Sequence, residues 1–338
     1  MNSNREQFLK DMALNGDPVV RSRLAVTYPV YAQFGDRLEA LRRISPYVSV
    51  GIARQSAREA NSTAVDRWGC HWTYPLESLD GICDGHPLQD WSALRTYVPP
   101  NPDEFTDWSK AAAGVRAAHE RGQVAWGGTD HGFVFLRLTY LRDFNNLMVD
   151  LADNPPELHE LTARVEGFWF EVARRWIEAG VDAISFGDDL GLQHALPISP
   201  DAWRRFIGPS YRRIFQYCRG HGVQVQLHSD GYVLDIIPDL IACGISILNV
   251  QDLVNGLDNL RRLAWGKVYL DLDLDRQSVT VFGTPQAVDA HLHDCIRMLG
   301  SHGGGLSLIW GVYPGTPLAN IEAAVQAMGK YATLWRAG

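Results

Sequence analysis

The sequence predicts an α/β protein, a single (β/α)8 TIM barrel over residues 1–338, and three observations support this fold. From about residue 120 onward, apolar runs of strand length alternate with amphipathic stretches of helix length, a rhythm typical of a parallel sheet. No second block of composition and no apolar linker interrupts the chain. The strand-like runs number eight, which fits a closed barrel of this length better than an open sheet.

The predicted strands are short and are bounded by turn residues. In the run Val223-Gln224-Val225-Gln226-Leu227, apolar and polar residues alternate with the period of a β-strand. The remaining strands are predicted near 123–127, 182–186, 246–250, 268–272 and 306–310, with a further run at 47–52 and a short one at 280–282.

Residues typical of helix starts and helix ends mark the bounds of several predicted helices. Gly180 and Gly244 each precede a new strand by about two residues, as a glycine that ends a helix does. Three hydroxyl residues stand before a proline suited to the first position of a helix. These starts are Ser199-Pro200, Thr284-Pro285 and Thr316-Pro317.

Residues 53–122 are the least regular part of the chain and are rich in Trp, Pro and Gly. We expect this helical and irregular segment to be an N-terminal insertion that covers one mouth of the barrel. The alternative is a separate small N-terminal domain.

Composition and charge exclude several classes of function. The formal charge of −8 argues against a nucleic-acid surface, because phosphate binding needs a clustered basic face. Because we find no apolar run of eighteen residues and no charged-then-apolar start, we expect neither a membrane span nor export. The five cysteines form no CxxC pair, which favours reduced thiols in a cytoplasmic enzyme.

Polar side chains collect where the predicted strands end. The run from Val223 stops at His228-Ser229-Asp230-Gly231, a histidine, a hydroxyl and a carboxylate together. In a barrel, residues that follow the strands converge on the catalytic face. Crowded carboxylates and imidazoles perturb one another's pKa values, as proton transfer or metal binding requires. The other strand ends carry Asp130 and His131, Asp188 and Asp189, Asn249 and Gln251, Asp271, Asp273 and Asp275, and Trp310 and Tyr313.

Several segments over residues 60–325 resemble the uroporphyrinogen decarboxylase superfamily, which includes the corrinoid (cobalamin)-dependent methyltransferases. The resemblance implies the same barrel fold. It is carried by Asp66-Arg67-Trp68-Gly69, His86-Pro87-Leu88, the run 186–191 with Ile198-Ser199-Pro200, His228-Ser229-Asp230-Gly231 with the run 236–240, Asn249-Val250-Gln251 and the run 316–321.

The methyltransferase branch fits better than the decarboxylase branch. Decarboxylases of this superfamily bind the porphyrinogen carboxylates with a loop flanked by arginines, and this loop is missing here. Arg21 and Arg23 lie near its place in the sequence but are not part of such a loop. Thiol-methylating members hold zinc with a His-x-Cys pair and a late Cys. Here His228 keeps the histidine position, whereas Asp230 and Trp310 stand where thiolates would be.

Loss of the thiolates implies a harder metal site, which suits an oxygen substrate. We therefore expect a methyltransferase that removes a methyl group from a small, methoxylated, aromatic substrate and passes it to a corrinoid, either free or on a partner protein, with zinc as a further cofactor. The alternatives are a decarboxylase and a non-catalytic scaffold for a corrinoid protein. The residues implied for catalysis are Asp189, Asp230 and Asp130, and those implied for the metal are His228, Asp230 and Asp189. The residues expected to contact the substrate are Trp126, His131, Asn249, Gln251, Trp310 and Tyr313, with Phe133 as a further aromatic wall.

Overall fold

The computed structural model describes residues 4–54, 59–77 and 79–336. Its strands are β1 (Arg21–Val26), β2 (Val48–Ile52), β3 (Ser62–Val65), β4 (His71–Tyr74), β5 (Ile82–Gly85), β6 (Trp126–His131), β7 (Ala183–Gly187), β8 (Gln224–Ser229), β9 (Ile247–Val250), β10 (Tyr269–Asp273) and β11 (Leu306–Val312).

Helices separate most of the strands. They are α1 (Arg5–Met12), α2 (Tyr28–Phe34), α3 (Asp36–Leu41), α4 (Trp108–Glu120), α5 (Phe135–Arg142), α6 (Phe144–Asp153), α7 (Pro156–Ala179), α8 (Pro200–Ala202), α9 (Gly208–Gly220), α10 (Ile237–Cys243), α11 (Asp252–Asn255), α12 (Leu257–Leu263), α13 (Val279–Phe282), α14 (Pro285–Leu299) and α15 (Leu318–Tyr331). A π-helical turn (Trp203–Ile207) joins α8 to α9, and short 3-10 helices lie at Trp91–Arg95, Pro102–Glu104, Leu234–Ile236 and Leu334–Arg336.

Eight strands form one parallel sheet in the order β2-β1-β11-β10-β9-β8-β7-β6. This is the cyclic order of an eight-stranded barrel opened between β2 and β6. Among the described residues those two strands are not paired with each other. The sheet therefore confirms the predicted α/β class and strand count, and its carboxyl ends share one edge.

One of the eight predicted strands is wrong. Residues 280–282 belong to helix α13, because Asp275 accepts hydrogen bonds from the backbone N–H groups of Gln277, Ser278 and Thr280 and winds the chain into a turn. The missing strand is β1, which lies between β2 and β11.

The helix signals are largely confirmed. Ser199 Oγ accepts from Ala202 N, and Thr284 Oγ1 accepts from Ala287 N, so both cap the helices that follow. At the third start Thr316 instead donates to the carbonyl of Tyr313, and α15 begins after Pro317. The two predicted stops, Gly180 and Gly244, both adopt the left-handed conformation.

The segment predicted as an irregular insertion contains regular structure in its described residues; positions 55–58 and 78 lie outside them. Strands β3, β4 and β5 form a separate antiparallel sheet, and α4 follows it. The chain thus places an extra sheet between β2 and β6, the two strands at the open edge. None of the helices in the described part of the chain is long and apolar enough to cross a membrane.

A buried ion pair lies inside the parallel sheet. Arg23 of β1 donates to both oxygens of Asp271 of β10, at 2.7 and 2.5 Å. Ser307 and Gln226 also donate to this fully buried carboxylate. Burial alone would raise the pKa of Asp271, but Arg23 outweighs it and lowers the pKa below its ordinary value.

We expect Arg23→Met to lower the free energy of unfolding by about 3 kcal/mol at pH 7, because it leaves a buried charge without its partner. A carboxylate with a lowered pKa stabilises the fold above its unfolded pKa, and this contribution is lost as the pH falls through the folded pKa. Urea titrations should therefore give a smaller difference between variant and wild type at about pH 3 than at pH 7. Equal differences at the two pH values would contradict this account.

Candidate active site

A pocket of about 640 Å³ lies at the carboxyl ends of the parallel strands. It is lined by the last residues of β6, by residues at and after the ends of β7 and β8, by strand β4 and by helix α5. The lining residues are Asp66, Trp72, Tyr74, Asp80, Gly81, Asp130, His131, Arg137, Tyr140, Asp189, His228, Asp230, Arg276 and Tyr313.

His228 lies one residue before the end of β8 and is oriented by Asn249 of β9. Its Nδ1 donates to Asn249 Oδ1 at 2.7 Å, and the Asn249 amide donates in turn to the carbonyl of Asp271. This relay leaves Nε2 of His228 free to meet the carboxylates of Asp189 and Asp230, at 3.6 and 3.7 Å. Asn249 is thus a positioning residue behind the histidine and does not line the pocket.

Asp189 connects the two histidines of the pocket. Its Oδ2 lies 3.5 Å from His131 Nε2, and its Oδ1 accepts from the backbone N–H of Asp230 at 2.9 Å. The hydrogen bond to Asp189 raises the pKa of His131. Burial opposes ionisation of Asp189, but His131 and the backbone donor lower its pKa overall. A carboxylate is therefore held between two imidazoles.

Asp230 also forms an ion pair with Arg276, a residue that was not predicted from the sequence to be in the site. Arg276 Nη2 lies 2.8 Å from Asp230 and 3.2 Å from Asp273, and its Nη1 lies 3.5 Å from Tyr313 Oη. Burial raises the pKa of Asp273 to about 7. Its Oδ1 is buried and has no hydrogen-bond partner within the described residues.

The loops that carry Asp189 and Asp230 pack against each other through the backbone of two glycines, Gly191 and Gly231. A Cβ added at Gly191 would lie 2.4 Å from the nitrogen of Tyr232, and one added at Gly231 would lie 2.2 Å from the carbonyl oxygen of Gly191. Gly231 also has a φ of +80°, which favours glycine. Gln251, predicted to contact substrate, accepts from the Gly231 N–H and secures this loop instead.

Asp188, next to Asp189, is a structural residue. Its carboxylate is fully buried and accepts the backbone N–H groups of residues 134, 135 and 136 at the start of α5. Tyr211 Oη donates to it as well, at 2.6 Å. Burial raises the pKa of Asp188, and these four donors oppose that change. Asp188 therefore fixes α5 beneath the pocket.

The aromatic wall differs from the one predicted. Trp126 lies at the amino end of β6 and packs on Phe8, with ring centroids 5.5 Å apart, so it is at the opposite end from the pocket. Trp310 and Phe133 are buried in the core. Of the predicted rings only Tyr313 lines the pocket, where it is joined by Trp72, Tyr74 and Tyr140.

Asp130 and His131 are brought to the pocket by an irregularity in β6. The register with β7 shifts between Gly128 and His131, and such shifts re-aim side chains at strand ends. Asp130 lies 3.4 Å from Arg67, a residue of the segment before β4. Asp130 is the least buried of the predicted catalytic carboxylates, since 39% of its side chain is exposed.

The donor set can be tested against zinc. His131, Asp189 and His228 each offer a ligand atom within 4.8 Å of the others, and His228, Asp230 and Asp273 form a second such group. Arg276 already occupies the Asp230 and Asp273 carboxylates, so the first group is the better one. Two imidazoles and a carboxylate are a donor set that catalytic zinc uses, with further positions left open. The predicted ligands His228 and Asp189 belong to this group, which adds His131.

A polar pocket at the carboxyl ends of an eight-stranded parallel α/β sheet is the arrangement found in barrel enzymes. The chain belongs to the uroporphyrinogen decarboxylase (URO-D) family, whose model matches residues 85–331. The resemblance inferred from the sequence motifs is thereby confirmed.

Relatives within this family include two kinds of enzyme. A methylcobamide:CoM methyltransferase of Methanosarcina barkeri is 24% identical over 162 residues, 47% of this chain and 44% of the relative. A uroporphyrinogen decarboxylase of Synechococcus sp. (strain CC9605) is 24% identical over 259 residues, 72% of this chain and 69% of the relative. The match to the methyltransferase thus spans less than half of that protein's length.

The fold also has a close structural match. A methyltransferase from Methanosarcina mazei superposes with a TM-score of 0.68 at 17% sequence identity, over 98% of this chain and 99% of the other. At this identity the likeness shows that the two chains share a fold.

Proposed function

We propose that this protein is a methyltransferase that moves a methyl group from a small, methoxylated aromatic substrate to a reduced corrinoid. The observation that carries the proposal is one pocket that combines an aromatic wall with the His131–Asp189–His228 group. Relatives that include a methylcobamide methyltransferase support the corrinoid as methyl acceptor.

The aromatic wall supplies the binding part of the proposal. Trp72 and Tyr140 meet edge to face with ring centroids 4.8 Å apart, and Tyr74 and Tyr313 complete the aromatic lining. Stacked and edge-on contacts with such rings bind a planar arene and exclude water from it. The methoxy oxygen would then point toward the imidazoles of His131 and His228.

The imidazoles supply the chemical part. In the proposed reaction the reduced corrinoid would accept the methyl group, the carbon–oxygen bond of the ether would break, and the bonding electron pair would stay on the oxygen as a phenolate. Without a metal, His131, held by Asp189, would donate a proton to that oxygen, while His228 is held in place by Asn249. If His131, Asp189 and His228 hold zinc instead, the metal would take the place of that proton and polarise the same oxygen as a Lewis acid.

The charge of the pocket argues against a porphyrinogen substrate. Asp66, Asp80, Asp130, Asp189 and Asp230 line the pocket, against only the two arginines at positions 137 and 276. Arg23, which stands near the place of the decarboxylase signature, is engaged with a buried carboxylate of the sheet. A substrate with many carboxylates would meet an excess of like charge. Because the relatives also include a uroporphyrinogen decarboxylase, decarboxylation is the alternative function.

Several wider features belong to the same proposal. We take residues 1–338 as one (β/α)8 domain, with the β3–β5 sheet in the insertion covering the pocket mouth. A corrinoid protein would be the partner, and the compartment would be the cytoplasm. Metal binding would be by zinc rather than a softer ion, because the donor set contains no thiolate.

The direct test is to incubate the protein with a chemically reduced corrinoid and a panel of methoxyarenes. We expect the absorbance of the methylated corrinoid to rise only with the methylated ethers, and chromatography should detect an equal amount of the phenol. The matching phenols, which carry no methyl group, serve as the control substrates. No spectral change with any ether, together with release of carbon dioxide from a carboxylated substrate, would sink the proposal and favour decarboxylation.

A further inference from the structure

Two cysteines meet behind the aromatic wall of the pocket, outside the catalytic group. Cys70 precedes β4 and is completely buried, and Cys83 lies in β5 and is half-buried. Both thiols approach the backbone carbonyl of Tyr140, at 3.3 and 3.8 Å. The Nδ1 of His86 reaches the same oxygen at 2.9 Å and lies 3.8 Å from the sulfur of Cys83. Two thiols and an imidazole thus converge on one carbonyl oxygen.

The two thiols also differ in exposure, because Cys70 is buried and Cys83 is half-buried. The interaction between them raises the pKa of Cys70 and lowers the pKa of Cys83. Cys83 is therefore the better nucleophile, because the thiolate is the reactive form of cysteine. Cys70, beside it and shielded from solvent, is placed as a resolving thiol.

We propose that Cys70 and Cys83 form a redox-responsive pair, which small disulfides in solution convert to an intramolecular disulfide. The Cys83 thiolate attacks one sulfur of a low-molecular-weight disulfide such as oxidised glutathione, and one glutathione thiolate leaves. The Cys70 sulfur then attacks the sulfur of Cys83, and the second glutathione leaves with the Cys70 proton. The two cysteines are oxidised and one glutathione disulfide is reduced to two thiols.

The same pair is connected to the pocket through Asp66. Asp66 Oδ1 accepts from the backbone N–H of Cys70 at 2.9 Å, and Oδ2 accepts from the indole of Trp72 at 3.1 Å. Arg137 lies 3.1 Å from the same carboxylate. A bond between Cys70 and Cys83 would draw the start of β4 toward β5 and shift this set of contacts. Oxidation would therefore alter the pocket wall that Trp72 provides.

The test uses the full chain in its native state. The protein is incubated with excess oxidised glutathione, quenched with acid, unfolded and alkylated, and its peptides are analysed by mass spectrometry. We expect the alkylatable thiols to fall from the five of the sequence to three, with a peptide pair linked through Cys70 and Cys83. Dithiothreitol should restore all five.

Single variants separate the two roles. In Cys70→Ser the reaction should stop at glutathione bound to Cys83, and in Cys83→Ser the buried Cys70 should stay unmodified. Serine keeps a donor for the Tyr140 carbonyl in both cases. If a variant fails to fold, brief alkylation of the native wild type gives the same ranking, with Cys83 labelled before Cys70. Five free thiols after oxidation, or a glutathione adduct on the wild type without a linked pair, would overturn the proposal and leave the methyl-transfer proposal untouched.

Discussion

We expect Asp189→Asn to lower the rate of the proposed methyl transfer by about 10²–10⁴-fold, the range typical of a disabled acid–base group, because His131 loses the carboxylate that holds it. The asparagine still accepts the backbone N–H of Asp230 through its carbonyl oxygen, so the loop keeps its shape. It no longer offers a charged partner to His131 and His228. The loss should therefore appear in kcat of the corrinoid assay, while the free energy of unfolding changes by less than about 1 kcal/mol.

Metal content gives a second readout for the same variant. If zinc is held by His131, Asp189 and His228, both Asp189→Asn and His228→Ala should lower the zinc found in purified protein, whatever the assay shows. Asp130→Asn is the matched control, since Asp130 lines the same pocket but belongs to neither candidate metal group. Full activity and unchanged zinc in Asp189→Asn would contradict the site assignment.

Asp188→Ala should have the opposite outcome, a loss of folding stability of at least about 4 kcal/mol. It removes the carboxylate that accepts the three N–H groups at the start of α5 and the hydroxyl of Tyr211. Three of these four hydrogen bonds are buried, and an unsatisfied buried donor costs about 1–3 kcal/mol. Urea or thermal unfolding would measure the loss directly.

Asp188→Asn is the conservative control, because its amide keeps one carbonyl acceptor for the backbone donors. We expect it to lie between Asp188→Ala and the wild type. Were Asp188→Ala as stable as the wild type, the hydrogen bonds to α5 would contribute far less than their burial indicates.

The strand pattern made most of the parallel sheet predictable, and its two errors, the missed β1 and the false strand at 280–282, have physical causes. Strand β1 begins Arg-Ser-Arg, which hides the apolar period of Leu24 and Val26. Arg23 is tolerated there only because Asp271, far along the chain, pairs with it inside the sheet. A partner 248 residues away leaves no local signal. The run at 280–282 has strand-forming residues, but the cap from Asp275 overrides them.

Strand ends also made the polar half of the pocket predictable. His131, Asp189, His228 and Asp230 all follow or end strands of one parallel sheet, and they meet as expected. Their roles in catalysis stay predictions. Arg276 also follows a strand but was missed, because arginine next to several carboxylates looks like a solvent-exposed turn in sequence.

The aromatic half of the pocket could not be found this way. Trp72 and Tyr74 belong to a four-residue strand outside the main sheet, and such a short strand has no measurable period. Their place at the pocket depends on how the antiparallel sheet packs against α5, where Tyr140 lies.

The backbone contact between Gly191 and Gly231 limits how this family member can change. Any side chain at either position would meet the backbone of the other loop and force the two loops apart. The spacing between Asp189 and Asp230 therefore depends on both glycines. New substrate preferences would have to arise in the wall formed by β4 and α5, where residues can be exchanged one at a time.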